Sequence, residues 1–228
     1  MCKDRMNEDD SDILDYRQFY RTIKGSGEKC STIIRKVHGF CIYRQLTTTG
    51  LYEYRAEALL VNFIDCDRLH KILYDVTMMK SFNSKIHNVQ IIKDDSSKNT
   101  QVIYCEVKFP WYMFNRAYLI AQTHTMIERN NSKIYLGMQQ NARNEIASLA
   151  QISSNVSDCI QVNDFYSYIA LIQHKNCSTI HIRHYENPNS DLPKCCINKL
   201  LMKSFVNYLI SLKQVLNSRY FSKFVKSE

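Results

Sequence analysis

The stretch VIYCEVKFPWYMFNRAY, residues 102–118, decides the fold of this 228-residue chain. Its first half alternates in the way that a half-buried β-strand does. The apolar face of that strand is formed by Ile103, Cys105, Val107 and Phe109. Pro110 interrupts the pattern, and a second strand begins at Asn115. The stretch therefore predicts two neighbouring strands joined by a turn.

Strand patterns continue on both sides of this pair. Runs rich in β-branched and aromatic residues predict strands at residues 32–46, 51–62, 86–92, 101–109, 115–127, 133–140, 159–173 and 177–185. Gly50 turns the first two strands into a hairpin, and the later strands are separated by short polar turns. Short connections favour antiparallel neighbours, so the sequence predicts one long, strongly curved antiparallel sheet.

Helical spacing predicts three helices, at residues 13–23, at residues 65–80 and from residue 194 onward. One face of the last helix is apolar: Ile197, Leu201, Phe205, Tyr208, Leu212, Val215 and Leu216. This amphipathic helix is expected to cover an apolar surface. After Leu216 the pattern rotates, which we interpret as a bend or fraying of the helix. The alternative is a tail, residues 217–228, that meets another surface such as a membrane.

Composition limits the class of protein. The chain is 45% apolar and 23% charged, with a net charge of +8, which is typical of a globular domain. Residues 1–12 are acidic and nearly free of apolar side chains, so we expect a flexible tail followed by one domain, residues 13–228. No run approaches the roughly 20 apolar residues of a membrane span, and the N-terminus lacks the apolar segment of a signal peptide. We expect a soluble, cytoplasmic protein.

Three stretches resemble the START (StAR-related lipid transfer) domain family. Residues 102–118 are similar to the family's strand, proline-containing turn and Asn-Arg-Asp-Tyr strand start. YENPNSDLPKCCIN, residues 185–198, resembles the segment that begins Asp-Asn-Pro-Gly-Gly before the last helix. LYDVTMMKSFN, residues 73–83, is a weaker match to a helix that ends in Arg-x-x-Trp-Asp. The element order agrees from about residue 13 to residue 225, and the chain looks most like the members that carry phosphatidylcholine.

The resemblance implies an α+β helix-grip fold, in which a curved antiparallel sheet surrounds a lipid tunnel closed by the C-terminal helix. It also implies the transfer of one phospholipid between membranes, either phosphatidylcholine or a broader range of head groups. No enzyme activity, cofactor or metal site is expected. From periodicity alone, without the resemblance, a solid core is the favoured interpretation of the apolar strand faces.

The resemblance assigns the head-group site residue by residue. Tyr118 and Phe165 take two positions of an aromatic cage for choline, and Cys105 takes the third, which is a Trp in the family. The phosphate-binding Arg of the family falls on Met79, beside Lys80. These departures argue against strict phosphatidylcholine specificity, because indole is the best cation–π partner and Arg is a bidentate phosphate ligand.

Further lipid-binding residues are expected on the neighbouring strand and on the last helix. Arg116 and Gln122 share a strand face with Tyr118 and could contact a head group. For Arg116 we favour a structural role, tied to Glu106 or Glu186. The apolar helix residues Ile197, Leu201 and Phe205 are expected to line the tunnel.

Two rival classes of function remain at this point. Against an enzyme, the chain has no Gly-x-Ser-x-Gly, Walker or Gly-x-Gly-x-x-Gly motif, and His181 and His184 fall on opposite faces of a strand. The other rival is a basic nucleic-acid-binding or structural interaction module with a filled core, favoured by a pI near 9.0 and 15 tyrosines.

The distribution of charge favours a membrane over nucleic acid. Residues 194–228 carry seven lysines and arginines against one acidic residue. A basic last helix is expected to be attracted to an anionic membrane surface. The sequence therefore predicts a monomer that carries a phospholipid, docks transiently on membranes and does not bind nucleic acid.

Overall fold

A computed structural model describes residues 33–61, 65–129, 132–142, 159–175 and 177–217. The predicted acidic tail at residues 1–12, the predicted helix at residues 13–23 and the chain beyond residue 217 lie outside the described residues. The fold described below is that of the remaining chain.

Ten strands and three helices make up the described fold. The strands are β1 Arg35–Val37, β2 Phe40–Leu46, β3 Tyr52–Val61, β4 Ile86–Asp95, β5 Thr100–Val107, β6 Asn115–Arg129, β7 Ser132–Asn141, β8 Cys159–Val162, β9 Asp164–Gln173 and β10 Cys177–Asn187. The helices are α1 Cys66–Tyr74, α2 Met79–Phe82 and α3 Lys194–Asn217. No helix within the described ranges is long and apolar enough to cross a membrane.

The strands form one open sheet in the order β1-β2-β3-β10-β9-β7-β6-β5-β4. Neighbours in this order are antiparallel, and β8 adds a short parallel pairing to the start of β6. The first hairpin, β2–β3, therefore joins the last strand, β10, at the middle of the sheet. The predicted α+β class, with a curved antiparallel sheet and a long C-terminal helix, is confirmed.

Two predicted strands are each divided in the structure. His38 and Gly39 have φ angles of 48° and 91°, so a tight turn separates β1 from β2 within the predicted strand at residues 32–46. Both residues lie in the left-handed region that two-residue hairpin turns require. The predicted strand at residues 159–173 breaks at Asn163, where β8 ends and β9 leaves for a different neighbour.

The predicted helix at residues 65–80 is also divided. Asp65 caps α1, because its carboxylate accepts a hydrogen bond from the backbone N–H of Arg68 at 2.9 Å. α1 then ends at Asp75, which has an extended ψ of 114° and accepts from the backbone N–H of Thr77 at 2.8 Å. Asp75 therefore caps a new turn instead of continuing α1, and the chain proceeds through a single 3-10 turn into α2.

Helix α3 packs its apolar side against the sheet. Ile197, Leu201, Phe205, Val206, Leu209 and Leu212 are buried. The Phe205 ring stacks on Tyr54 of β3 with 5.6 Å between centroids. Asn198 fixes the start of the helix to the β2–β3 hairpin: its side chain accepts from the Tyr52 N–H at 3.0 Å, and its backbone carbonyl accepts from the Tyr54 hydroxyl at 2.8 Å.

Helix α1 reaches the same face of the sheet because β7 carries a glycine there. The phenol ring of Tyr74 lies directly over Gly137, and a Cβ atom at residue 137 would overlap that ring. The Tyr74 ring also stacks on His124, the cross-strand neighbour of Gly137. This close approach places the end of α1, including the buried Leu73, against the inner face of the sheet.

We predict that Gly137→Ala lowers the free energy of unfolding by about 1–3 kcal/mol, because the added methyl group overpacks this contact. In a Tyr74→Ala background the same change should cost little, since the ring is gone. Urea denaturation of the four proteins in this double-mutant cycle measures the difference. An equal cost in both backgrounds would contradict the assigned contact.

Candidate functional site

A cavity of about 200 Å³ lies between α3 and the inner face of the sheet. Its walls come from α1, α2, the strands β4, β5, β6, β7, β9 and β10, and the middle of α3, and most of the lining side chains are apolar or aromatic. The alternating face predicted from sequence accounts for one wall, through Cys105 and Val107 on β5, and Phe165 and Ile169 on β9 form another. Those faces therefore enclose a space instead of a completely filled core.

Six of the ten predicted lipid-binding residues meet at this cavity. Its lining includes Met79, Cys105, Tyr118, Phe165, Leu201 and Phe205. They come from α2, from the three strands β5, β6 and β9, and from α3, so the fold brings together residues that are up to 126 positions apart. The predicted grouping of cage, phosphate-site and helix positions around one space agrees with the geometry.

The other four predicted residues do not line the cavity. Lys80 is exposed to solvent, and Ile197 is buried in the core beneath the start of α3. Gln122 is buried and connects two walls: its side-chain NH₂ donates to the Tyr74 carbonyl at 2.8 Å, and its carbonyl oxygen accepts from Gln139 at 2.6 Å. The fourth residue, Arg116, fixes two loops.

Arg116 is 1% exposed and holds backbone carbonyls. Its guanidinium donates to the carbonyl oxygens of Phe114, Pro188 and Asn189, and its Cζ atom lies 4.8 Å from the centre of the Phe109 ring. These contacts connect residues 109–114, before β6, with residues 188–193, before α3. The favoured structural role agrees with this geometry, although the hydrogen-bond partners are carbonyls instead of the expected carboxylates.

The loop at residues 188–193 lacks the glycines found in the motif that it resembles. Asn189 occupies one of those positions with a φ of 47°, in the left-handed region that Asn tolerates better than most residues. Its side-chain amide donates to the Gln161 carbonyl at 2.9 Å. Asn therefore preserves the backbone turn and adds a contact to β8.

The cage positions lie at one end of the cavity. Tyr118 and Phe165 pack edge to face, with 5.4 Å between ring centroids and an interplanar angle of 81°. Cys105 is the cross-strand partner of Tyr118, and burial raises the pKa of its thiol to about 12. The thiol is therefore neutral at physiological pH and offers no aromatic face. Two rings of the three-ring cage are present.

A carboxylate that sequence reasoning did not assign to the site lies beside these rings. Glu186 lines the cavity, and its Oε1 atom accepts a hydrogen bond of 2.6 Å from the Tyr118 hydroxyl. Burial, followed by the negative charge of Glu186, raises the pKa of Tyr118 well above its usual value, so the phenol remains a donor. Strand alternation along β10 could have placed Ile182, His184 and Glu186 on the inner face.

Two other polar residues of the cavity were also missed. His184 lines the cavity between Glu186 and α3. Its Nε2 atom is 3.6 Å from Glu186 Oε2, and its ring stacks on the ring of Phe205 with 5.9 Å between centroids. Lys85 lines the wall at the start of β4. Lys85 follows α2 in a short turn, and no sequence signal indicated it. In the described part of the chain, no group of three or more His, Cys, Asp or Glu side chains could hold a metal ion.

The fold is similar to that of solved StAR-related lipid transfer proteins. The fold matches human STARD10 with a TM-score of 0.64 at 14% identity, covering 95% of this chain and 84% of that one. It matches human StAR-related lipid transfer protein 5 with a TM-score of 0.61 at 9% identity, covering 90% and 92%. No family model matches the sequence.

In sequence, the chain is similar to phosphatidylcholine transfer protein. The identity to the rat protein is 28% over 169 residues, which is 73% of this chain and 74% of the relative. The resemblance to START domains is confirmed, and lipid binding and transfer are the general function of proteins with these names. At this identity, the head group bound by this chain has to be inferred from its own cavity.

We predict that Arg116→Lys destabilises the protein by about 2–4 kcal/mol, since one ammonium group cannot reach the three carbonyls that the guanidinium holds. Arg44→Lys is the matched control, because Arg44 is exposed and the charge is kept; its effect should stay within about 0.5 kcal/mol. Denaturant unfolding measures both changes. Equal stability of the two variants would refute the structural role of Arg116.

Proposed function

We propose that this protein carries one zwitterionic phospholipid between membranes inside the cavity beneath α3. One observation carries the proposal: an apolar cavity with one fixed cation and one carboxylate in its wall. Apart from His184, whose charge depends on protonation, Lys85 and Glu186 are the charged side chains among the described lining residues. A phosphodiester and an ammonium group in the same lipid complement such a pair.

The apolar character of the walls answers the main energetic demand on a lipid carrier. Removing a two-chain lipid from a bilayer exposes roughly 30 methylene groups to water, at about 0.8 kcal/mol each, which amounts to on the order of 20 kcal/mol. A carrier must replace most of this contact with its own apolar side chains. The inner faces of β5 and β9 and the apolar side of α3 supply such surface.

The described cavity is smaller than a lipid requires. At about 200 Å³ it lies below the roughly 300–1,000 Å³ of pockets that hold drug-sized ligands, and a two-chain lipid is larger than those ligands. Loading therefore requires α3 to move outward from the sheet. Because Asn198 ties the start of α3 to the β2–β3 hairpin, we place the movement beyond that tether, around Leu201, Phe205 and Tyr208.

A second feature supports transient docking on a membrane. The aromatic loop, residues 109–114, begins in the cavity wall with Phe109 and Pro110 and then turns outward. Its side chains Trp111, Tyr112 and Phe114 are 95%, 55% and 67% exposed. Aromatic residues of this kind favour the membrane interface, where their apolar rings and polar groups are both satisfied. We infer that this loop enters the bilayer surface beside the cavity, assisted by the exposed Lys199 and Lys203 of α3.

The proposal describes a cytoplasmic monomer that performs no covalent chemistry. The rival with a filled core loses support, because a cavity lies where such a core would be. The exposed aromatic residues do not support the rival that binds nucleic acid, because they lie together in the loop at residues 109–114 instead of along a basic groove.

Filling the cavity should abolish transfer. We predict that Ser204→Trp, whose new side chain projects into the cavity from α3, slows phosphatidylcholine transfer between vesicles at least about tenfold. Asn207→Trp is the matched control, because Asn207 lies on the exposed side of the same helix. Circular dichroism should show the same helix content in both variants. Full transfer by a folded Ser204→Trp protein would contradict the proposed cargo site.

Removing the aromatic loop side chains should weaken docking without closing the cavity. We predict that the double variant Trp111→Ala and Phe114→Ala binds vesicles about tenfold more weakly, because two rings no longer enter the interface. Ile91→Ala, at another exposed apolar residue on the edge strand β4, is the control. Vesicle cosedimentation measures binding, and equal losses in both proteins would argue against a specific docking loop.

A further inference from the structure

The carboxylate of Glu186 lines the cavity beside the rings of Tyr118 and Phe165. Its side chain is 13% exposed, and it lies opposite Phe165 in the register of β10 and β9. Tyr118 donates to one of its oxygens and packs edge to face on Phe165. A carboxylate has about four lone-pair sites, so the hydrogen bond from Tyr118 leaves capacity for further donors.

The chemistry of this wall distinguishes two kinds of ammonium group. A quaternary ammonium has no N–H and is held by the faces of aromatic rings. Two rings are available here, because the third position carries the neutral thiol of Cys105. A primary ammonium has three N–H donors and forms short, charge-assisted hydrogen bonds to a carboxylate. The chain has therefore lost part of what holds choline, while Glu186 remains as an acceptor for N–H groups.

We propose that the cavity prefers phospholipids with a primary ammonium head group, such as phosphatidylethanolamine, over choline lipids, because Glu186 accepts a hydrogen bond from the ammonium group. This inference rests on the proposed function and specifies its cargo. The rings of Tyr118 and Phe165 border the ammonium, and Lys85 is the fixed cation in the wall for the phosphate.

A structural role for Glu186 is the competing explanation. Glu186 and the buried Arg116 attract one another, so the carboxylate could serve only to balance that guanidinium. Arg116 does not line the cavity, however, whereas Glu186 does. A purely structural carboxylate would affect unfolding but not the choice between two lipids with the same acyl chains.

The test is a competition between lipids that differ only in methylation of the nitrogen. The full-length protein is incubated with vesicles that contain equal amounts of phosphatidylethanolamine, its N-methyl and N,N-dimethyl derivatives, and phosphatidylcholine, all with palmitoyl and oleoyl chains. Native mass spectrometry then gives the ratio of bound lipids on the loaded fraction. We expect about tenfold enrichment of phosphatidylethanolamine over phosphatidylcholine, declining stepwise with each added methyl group.

Variants assign the preference to Glu186. Glu186→Gln keeps the shape of the side chain but not its charge, and it should bring the ratio of bound phosphatidylethanolamine to phosphatidylcholine close to one. Glu186→Asp should give an intermediate ratio. Glu57→Gln removes the exposed carboxylate that pairs with His181, away from the cavity lining, and should leave the ratio unchanged. Cys105→Trp, which supplies a third ring, should shift the ratio toward phosphatidylcholine.

The outcomes separate this inference from the proposed function. Lipid loading without preference in the wild-type protein, or a Glu186→Gln protein that loads lipid with the wild-type ratio, would overturn the inference alone. If Glu186→Gln lowers thermal stability but leaves the ratio of bound phosphatidylethanolamine to phosphatidylcholine unchanged, the role of Glu186 is to balance the charge of Arg116. Failure of the wild-type protein to load any lipid would overturn the proposed function as well.

Discussion

The incomplete contact between α3 and the sheet is the feature on which the rest of the structure depends. Ile197 and Leu209 of α3 are buried in the core, but on the helix between them Leu201, Ser204 and Tyr208 line the cavity. The helix is tied down at Asn198, which forms hydrogen bonds to Gly50, Tyr52 and Tyr54 of the β2–β3 hairpin. The same helix thus completes the hydrophobic core and closes the cavity. A movement of α3 that admits a ligand therefore also breaks contacts of the core.

Under the proposed function, the polar groups in the cavity wall give this apolar space its chemical selectivity. A carboxylate near two rings and a lysine elsewhere in the wall suit a lipid that has both charges and no net charge. Arg116 holds the loops on either side of this end by their carbonyls, so the geometry of Glu186 and Tyr118 depends on a residue that does not touch the cavity. These three carbonyls satisfy the buried guanidinium, so it needs no carboxylate hydrogen-bond partner.

Sequence reasoning reached the fold and much of the site, and it failed where long-range contacts decide. Alternation put Cys105 and Val107 on one strand face, and both line the cavity, because the two-residue period of a strand is a local property. Tyr118 and Phe165 were assigned by the resemblance instead. Whether those faces enclosed a cavity was not predictable from period alone. The division of the predicted helix at residues 65–80 was missed, because the side chain of Asp75 caps a new turn in competition with the helical hydrogen bonds. The place of Lys85 in the cavity wall follows only from how α2 packs against α3.

The central claim is that one phospholipid occupies the space beneath α3. Native mass spectrometry of the full-length protein, purified without detergent and then incubated with zwitterionic vesicles, tests it most directly. The account predicts a species heavier than the chain by the mass of one phospholipid, released on organic extraction. A chain that retains its unliganded mass after incubation, while remaining folded by circular dichroism, would contradict the claim.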